Sequence, residues 1–591
     1  MAEPLRDVHT LTDVLQHHVR TIGDRPAYTL MHRVKPTRTL TYAQLYALGK
    51  TCAGTLRAHG LEKGDRVLII LPTSEAFFGA YWGTLLAGGV PVPIYPPVRF
   101  HRIRDYWTYM ITILNDCQAR LIVADRNLTR LYDFPKRAEV AFTVLTDDQL
   151  TQGPPLDHPV PVDPDDTALL QYTSGSTARP KGVQLYHRHL LANIVNIGLH
   201  IDIRPDDIGI CWLPLYHDMG LIGMVLGALY WQVHLYVMSP LEFLRRPVFW
   251  LRAITAYRGT VSAGPNFAYS ICAYKIRDIE LHDLDLSSWR IALCGAEPIL
   301  AETLERFAER FRPFGFRTQA FMPAYGLAEN ALAVTLGRPG EGYTVDWVDR
   351  ETFETRRQAV PTERRDASAL AWVACGVPIP NTEVRIVDDS GAELPERHEG
   401  EIQVRSPSVM AGYYRNPEAT TTALRDGWLA TGDLGYLADG MLFVTGRKKE
   451  IIIRGGRNYY PQDIERAVMH VEGVRKGGVI AFGTPEREQG TERIVVVVEI
   501  TEKHPEQWPH LAESIRRQVL HEVGIPINEI LLVAPGTIPK TSSGKLQRVQ
   551  CKMMYLQGEI TPIRPEDIRR WRVPRPLKNV LDWIRFRLLK P

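Results

Sequence analysis

The sequence predicts an α/β protein in two parts: a large N-terminal domain with α/β sheets and a β-rich subdomain, then a small α+β C-terminal domain. Three observations carry this expectation. The 591 residues exceed the roughly 100–200 typical of one domain. Apolar strands and helical stretches alternate over most of the chain, the pattern of parallel strand-helix-strand units. Around 384–406 the texture changes to short alternating strands with turn residues, and beyond the charged run in TGRKKEIIIRGG a new set of strands and helices begins.

The elements follow in order. LTYAQLYALGKTCAGTLRAHG has apolar residues at helical spacing and stops at Gly60; GDRVLIILP then reads as a buried strand. SEAFFGAYWGTLLAGG continues as a helix and VPVPIYP as another strand. Residues 121–124, 140–146, 208–212 and 290–293 are short strand candidates between helical stretches. Past residue 450, GGVIAFG and ERIVVVVEI read as strands and PEQWPHLAESIRRQVLHEV as a helix.

Composition excludes several classes. With 45% hydrophobic and 23% charged residues, the chain is an ordinary soluble one. Its apolar runs fall short of the ~20 residues that cross a bilayer, so no transmembrane segment is expected. A net charge of +3 does not suggest nucleic acid binding. The start MAEPLRDVHTLTDVL lacks the basic and apolar regions of a secretory signal, which predicts a cytoplasmic location. The seven cysteines show no CxxC pairing, against a disulfide framework or a thiolate zinc site, and are expected as buried small hydrophobes.

The first segment with chemistry is ALLQYTSGSTARPKGVQLYHRHLLANI, a strand entering a small-residue loop. Backbone N–H groups around Gly175, the hydroxyls of Thr173, Ser174, Ser176 and Thr177, and the charge of Lys181 suit a phosphate cradle. A hydroxyl-rich surface turn has the same composition. The spacing is not the GxxxxGK[ST] of P-loop NTPases. Further along come WLPLYHDMGLIG, GAEP (Gly295, Ala296, Glu297, Pro298), YGLAEN (Tyr325, Gly326, Glu329), TGDLG (Asp433), GRKKE (Arg447, Lys449) and IPKTSSGKLQR (Lys545). Taken singly, the Tyr reads as core, the Asp as a cap and the charged run as a linker. Their order is what distinguishes them.

That order resembles the adenylate-forming (ANL) superfamily of acyl-CoA synthetases, nonribosomal adenylation domains, luciferases and fatty acyl-AMP ligases. PVPIYPP, LQYTSGST, PLYHDMGLIG, SAGPNFAY, VACGVP and RGGRNYYPQDIE bring it closest to the fatty acyl-AMP ligases over nearly the full length. The resemblance implies a large adenylation domain over 1–445, a hinge over 446–450 pivoting at Lys449, and a small mobile domain over 451–591. It implies ATP and Mg²⁺, with GAEP and Tyr325–Gly326 at adenine, Asp433 and Arg447 at ribose, Glu329 on the metal and Lys545 as catalytic lysine. His217 either positions the substrate carboxylate or caps the helix after it. Ala178 stands where the family usually has Gly; if that position needs a positive φ, Ala costs roughly 1 kcal/mol there.

The polar stretch 341–372 coincides with an insertion that, in fatty acyl-AMP ligases, goes with refusal of coenzyme A. The resemblance therefore implies a fatty acid substrate and transfer of the acyl group to a separate, phosphopantetheinylated acyl carrier protein. An acyl-CoA synthetase and a non-catalytic nucleotide-binding relative stand as alternatives. The basic C-terminal tail, with Leu577, Val580, Leu581, Ile584 and Leu588 at helical spacing, is either a helix packed on its own domain, a carrier-protein dock or a peripheral membrane contact.

Overall fold

The structure is a computed structural model that describes residues 3–97, 103–131, 138–173, 180–454, 457–486, 491–541 and 545–565. Buried runs of Val, Ile and Leu build two mainly parallel sheets, as parallel strands covered on both faces require. One has four strands in the order Val90–Pro93, Arg66–Ile70, Leu121–Ala124, Thr143–Thr146. In the other, of nine strands, Val261–Gly264 and Ile208–Cys211 lie at the middle. Ile291–Cys294 and Phe321–Gly326 follow on one side, His234–Met238 and Pro26–His32 on the other, all parallel. Antiparallel strands close both edges: Ala333–Leu336 with Val377–Pro378, and Lys35–Thr41.

Helices Tyr42–Ala58 and Glu75–Leu86 pack against each other in this core. Ser74 starts the second by accepting the Phe77 N–H. This helix is apolar on every face and buried along most of its length, as such a helix must be. The two backbones approach so closely that a Cβ on Gly83 would stand 2.5 Å from the Cys52 Cβ, and one on Gly79 2.9 Å from its Sγ.

Sequence-predicted strands shift by small amounts for identifiable reasons. The strand expected at 140–146 is only Thr143–Thr146, because Val140 and Phe142 turn onto the four-stranded sheet's core instead. The one at 290–293 is Ile291–Cys294, since Arg290 sends its guanidinium to Asp207 and to the carbonyls of Ile201 and Asp202. Trp212 leaves its strand to stack on Phe243, ring centroids 3.8 Å apart.

The region expected to be β-rich forms antiparallel strands Glu383–Val387, Gly400–Arg405, Trp428–Ala438 and Met441–Arg447. The polar stretch before it is itself folded: Val345–Asp349 pairs antiparallel with Ala369–Val373 around helix Arg350–Arg356. Val348, Phe353 and Leu370 share a separate small core with Tyr436, Phe443 and Tyr460. Past residue 451 another core forms, on strands Val474–Glu486, Thr491–Ile500 and Glu529–Val533 and helices Pro461–Met469 and Trp508–Val523. The molecule is thus a large N-terminal α/β domain with a smaller C-terminal one. All seven cysteines are buried and free. Among the described residues no helix is long and apolar enough to cross a membrane. The basic tail from 566 onward lies outside them.

Gly83→Ala should force the helix pair apart and destabilise the large domain by about 1–3 kcal/mol. Urea unfolding followed by tryptophan fluorescence reads this as a lower midpoint. An unchanged midpoint would mean that the close approach is not needed.

Candidate active site

Antiparallel register assembles the first group. Within the hairpin of Trp428–Ala438 and Met441–Arg447, Asp433 stands directly opposite Arg447. Arg447 Nε lies 3.1 Å from Asp433 Oδ1, and the Tyr325 hydroxyl donates to Asp433 Oδ2 at 2.8 Å. Tyr325 is buried near the end of its strand. The Asp433 N–H is held by Thr431 Oγ1 at 3.1 Å. A carboxylate offers about four lone-pair sites, so Asp433 retains acceptor capacity for two more donors.

The next residues of the chain build the second group. Gly326 allows a tight reversal, since a Cβ there would stand 2.0 Å from the Leu332 carbonyl oxygen. The short turn Ala328–Asn330 that follows presents Glu329. Its carboxylate Oε1 accepts from the Tyr413 hydroxyl at 2.8 Å. Burial pushes this carboxyl above its ordinary range, opposed by the Tyr413 hydrogen bond. The Tyr413 ring in turn lies 4.6 Å from Lys181 Nζ. Lys181 starts a strand in register with Thr173 at the end of the preceding one. Ser174, Gly175, Ser176 and Thr177, with Ala178, lie outside the described residues.

Gly295 sits at a close backbone approach, where a Cβ would stand 2.7 Å from the Ala324 carbonyl oxygen. Ala296 adopts φ +68°, a left-handed conformation costly for a residue with a side chain. The Glu297 carboxylate accepts the Phe267 N–H at 2.5 Å, at the start of helix Asn266–Lys275, so it serves that helix N-terminus. Pro298 is exposed.

The Met219 N–H at the start of the helix Met219–Leu226 is shared between two acceptors, Asp218 Oδ1 at 2.7 Å and His217 Nδ1 at 3.3 Å, so His217 takes part in the cap with Asp218 as the nearer acceptor. That helix is wound wider than an α-helix, a form often found at functional sites. His217 Nδ1 lies 2.6 Å from Asp218 Oδ1. Burial alone would raise the Asp218 carboxyl, but the charges of His217 and Lys545 and the bonds from His217 and Met219 hold it down to about 2.

Lys545 enters this space from the C-terminal domain. Its N–H donates to Thr541 Oγ1 at 2.9 Å and its carbonyl accepts the Thr541 N–H at 2.8 Å. Burial pushes its ammonium below the usual lysine range; Asp218, then Glu297 and Asp433, pull it back up, and Arg447 adds to the lowering. The charges of three carboxylates of the large domain therefore act on one lysine of the small domain. Arg548 anchors the same segment, donating to Glu465 Oε2 at 2.6 Å and to Glu450 Oε2 at 2.8 Å. Lys449, next to Glu450, is exposed.

Comparison with known proteins identifies the family. The family described as AMP-binding enzyme matches residues 15–414, and the Disco-interacting protein 2-like AMP domain matches 449–564. The medium-chain-fatty-acid–[acyl-carrier-protein] ligase JamA of Moorena producens (strain JHB) is 35% identical over 95% of this chain and 97% of its own. The long-chain-fatty-acid–AMP ligase FadD32 of Mycolicibacterium smegmatis is 32% identical over 91% and 93%. A solved structure from work on the fatty acyl-adenylate ligases of E. coli and L. pneumophila superposes with TM-score 0.88 at 36% identity, covering 94% of this chain and 99% of that one. This chain belongs to the fatty acyl-AMP ligases of the adenylate-forming superfamily. The ligase is also similar to the L. pneumophila fatty acyl-adenylate ligase in complex with acyl adenylate and pyrophosphate, with TM-score 0.71 and 32% identity over 95% and 98% of the chains.

Of the residues singled out from sequence, Tyr325, Asp433 and Arg447 touch one another, and the electrostatics of Lys545 join it to them. Glu329 and Lys181 are linked through Tyr413, a residue the sequence reading missed. The only local signal for it is the Gly-Tyr pair in MAGYYRNPEAT.

Arg548→Met should leave two carboxylates without their guanidinium and cost about 3–5 kcal/mol locally, as breaking a buried pair does. Hydrogen exchange should show protection lost in helix Pro461–Met469 while the nine-stranded sheet keeps its own. Equal protection in variant and wild type would dismiss Arg548 as an anchor.

Proposed function

We propose that the ligase condenses a fatty acid with ATP to acyl-adenylate and pyrophosphate, then passes the acyl group to the phosphopantetheine thiol of a separate acyl carrier protein. The observation that carries this reading is the pairing of Asp433 with Arg447 and Tyr325, with Lys545 of the small domain within electrostatic reach of Asp218, Glu297 and Asp433. Full-length similarity to ligases named for a fatty acid and for an acyl carrier protein supports the choice of substrate and acceptor.

In the first step a carboxylate oxygen of the fatty acid attacks the α-phosphorus, and the bond to the pyrophosphate oxygen breaks. Both reactants are anionic. A lysine ammonium between them lowers their repulsion and stabilises the charge that builds in the transition state. A half-buried Lys545 suits this role. Its carboxylate neighbours oppose the lowering that burial imposes on its ammonium.

The other roles follow from donor and acceptor chemistry. Asp433, oriented by Tyr325 and Arg447, keeps lone pairs for both ribose hydroxyls. Tyr325 and Gly326, with Gly295, Ala296, Glu297 and Pro298, flank the adenine, and Arg447 reaches the ribose. Thr173, Ser174, Gly175, Ser176, Thr177 and Lys181 cradle the phosphates. His217, held by Asp218, orients the fatty acid carboxylate. Lys449, exposed in the 446–450 turn, is the pivot about which the small domain turns towards the carrier protein.

Glu329 is the residue for Mg²⁺. Among the described residues no group of three or more His, Cys, Asp or Glu is placed to hold a metal. Mg²⁺ keeps waters and binds through one or two carboxylates plus substrate phosphates. When bound it neutralises phosphate charge.

Lys545→Ala should abolish acyl-adenylate formation while ATP still binds. Purified enzyme given Mg-ATP and fatty acids from short to long should form acyl-AMP that persists with coenzyme A and is consumed by phosphopantetheinylated carrier protein. Efficient acyl-CoA formation would move the ligase to the synthetase branch. No adenylate from any acid would leave only nucleotide binding.

A further inference from the structure

Glu329 and Lys181 come from distant parts of the chain, yet one short segment is stitched to both. The Met410 N–H donates to the Glu329 carbonyl at 2.8 Å. Gly412 and Tyr413 then pair antiparallel with Gln184 and Val183, on the strand that Lys181 begins. The Ala411 N–H donates to the Gln184 carbonyl at 3.0 Å and the Tyr414 N–H to that of Gly182 at 2.8 Å. Thr420 Oγ1 holds the Tyr413 N–H at 2.9 Å. The backbone of Tyr413 is therefore fixed from both sides before its side chain is considered.

The side chain completes the link. Its hydroxyl donates to Glu329 Oε1 at 2.8 Å and its ring faces Lys181 Nζ at 4.6 Å. A ring at that distance attracts an ammonium through its π-face. A phenol on one carboxylate oxygen fixes the carboxylate plane and leaves the other oxygen for a cation. Such outer partners orient a metal ligand that would otherwise rotate. We propose that Tyr413 is a positioning residue, which sets the spacing and orientation of the cation ligand Glu329 relative to the phosphate-loop lysine Lys181. This rests on the reading of Glu329 and Lys181 given above.

Two substitutions separate the two contacts. Tyr413→Phe keeps the ring under Lys181 and removes the hydroxyl; Tyr413→Leu removes both. For Tyr413→Phe the half-saturating Mg²⁺ concentration in adenylate formation should rise about tenfold, the scale of a lost outer-shell partner. The fatty acid KM and the thermal midpoint should stay at wild-type values. Calorimetric titration with ATP, in EDTA and in excess Mg²⁺, gives a readout independent of turnover. The gain in ATP affinity on adding Mg²⁺ should shrink in Tyr413→Phe, while affinity in EDTA is kept. In Tyr413→Leu affinity in EDTA should also fall severalfold. Glu329→Gln serves as the reference. If it alters the Mg²⁺ dependence and Tyr413→Phe matches wild type in both assays, the positioning role is overturned. If Glu329→Gln is itself indistinguishable from wild type, the metal assignment of Glu329 fails first. Because Tyr413→Phe preserves the packed ring, the test does not depend on whether Tyr413→Leu folds.

Discussion

The pairing of Asp433 with Arg447 is the constraint on which the site depends. It is set by strand register, since the two residues face each other across one hairpin, and it marks two places at once. Asp433 lies beside Tyr325, at the end of a strand of the large sheet. Arg447 is the last residue of its own strand, after which the chain turns into the core of the small domain. The end of this strand of the large domain and the root of the small one thus share a salt bridge. Everything that brings Lys545 into place is built outward from that root, through Glu450, Arg548 and the Thr541 contacts.

The motifs were legible through their order along the chain and the resemblance that order carries; taken singly, Tyr325 reads as core and Asp433 as a cap. Strand positions were legible to within a few residues because they are local, as apolar runs between turn residues. The sheet order was not, because pairing is non-local; Pro26–His32 lies beside His234–Met238. Tyr413 escaped because its partner Glu329 is 84 residues away, and nothing in a Gly-Tyr pair announces a carboxylate. That His217 shares the Met219 N–H with Asp218 likewise depends on side-chain directions that adjacency in sequence does not reveal.

The polar stretch 341–372 escaped for a different reason. Its apolar residues are spread among charges, and its core is completed by Tyr436, Phe443 and Tyr460 from elsewhere in the chain. Read alone it is a connection too long for a compact fold. In the structure it is a hairpin and helix whose stability is shared with its neighbours.

That sharing bears on how the small domain is held. Tyr460 follows the 446–450 turn by ten residues, yet its ring sits among Phe353 and Trp372, with centroids 5.7 and 5.5 Å away. Its hydroxyl donates to the buried Glu399 carboxylate at 2.9 Å. Pulling such a ring into water costs about 1.5–3 kcal/mol, and it would also deprive a buried carboxylate of a donor. Arg350 adds a long ion pair, 3.8 Å to Asp463 of helix Pro461–Met469. Rotation about 446–450 would draw Tyr460 out of this core, which makes the arrangement with Lys545 directed at the large domain's carboxylates the favoured one. The stretch 341–372 thus acts on the small domain near its root, through Tyr460 and the Arg350–Asp463 pair.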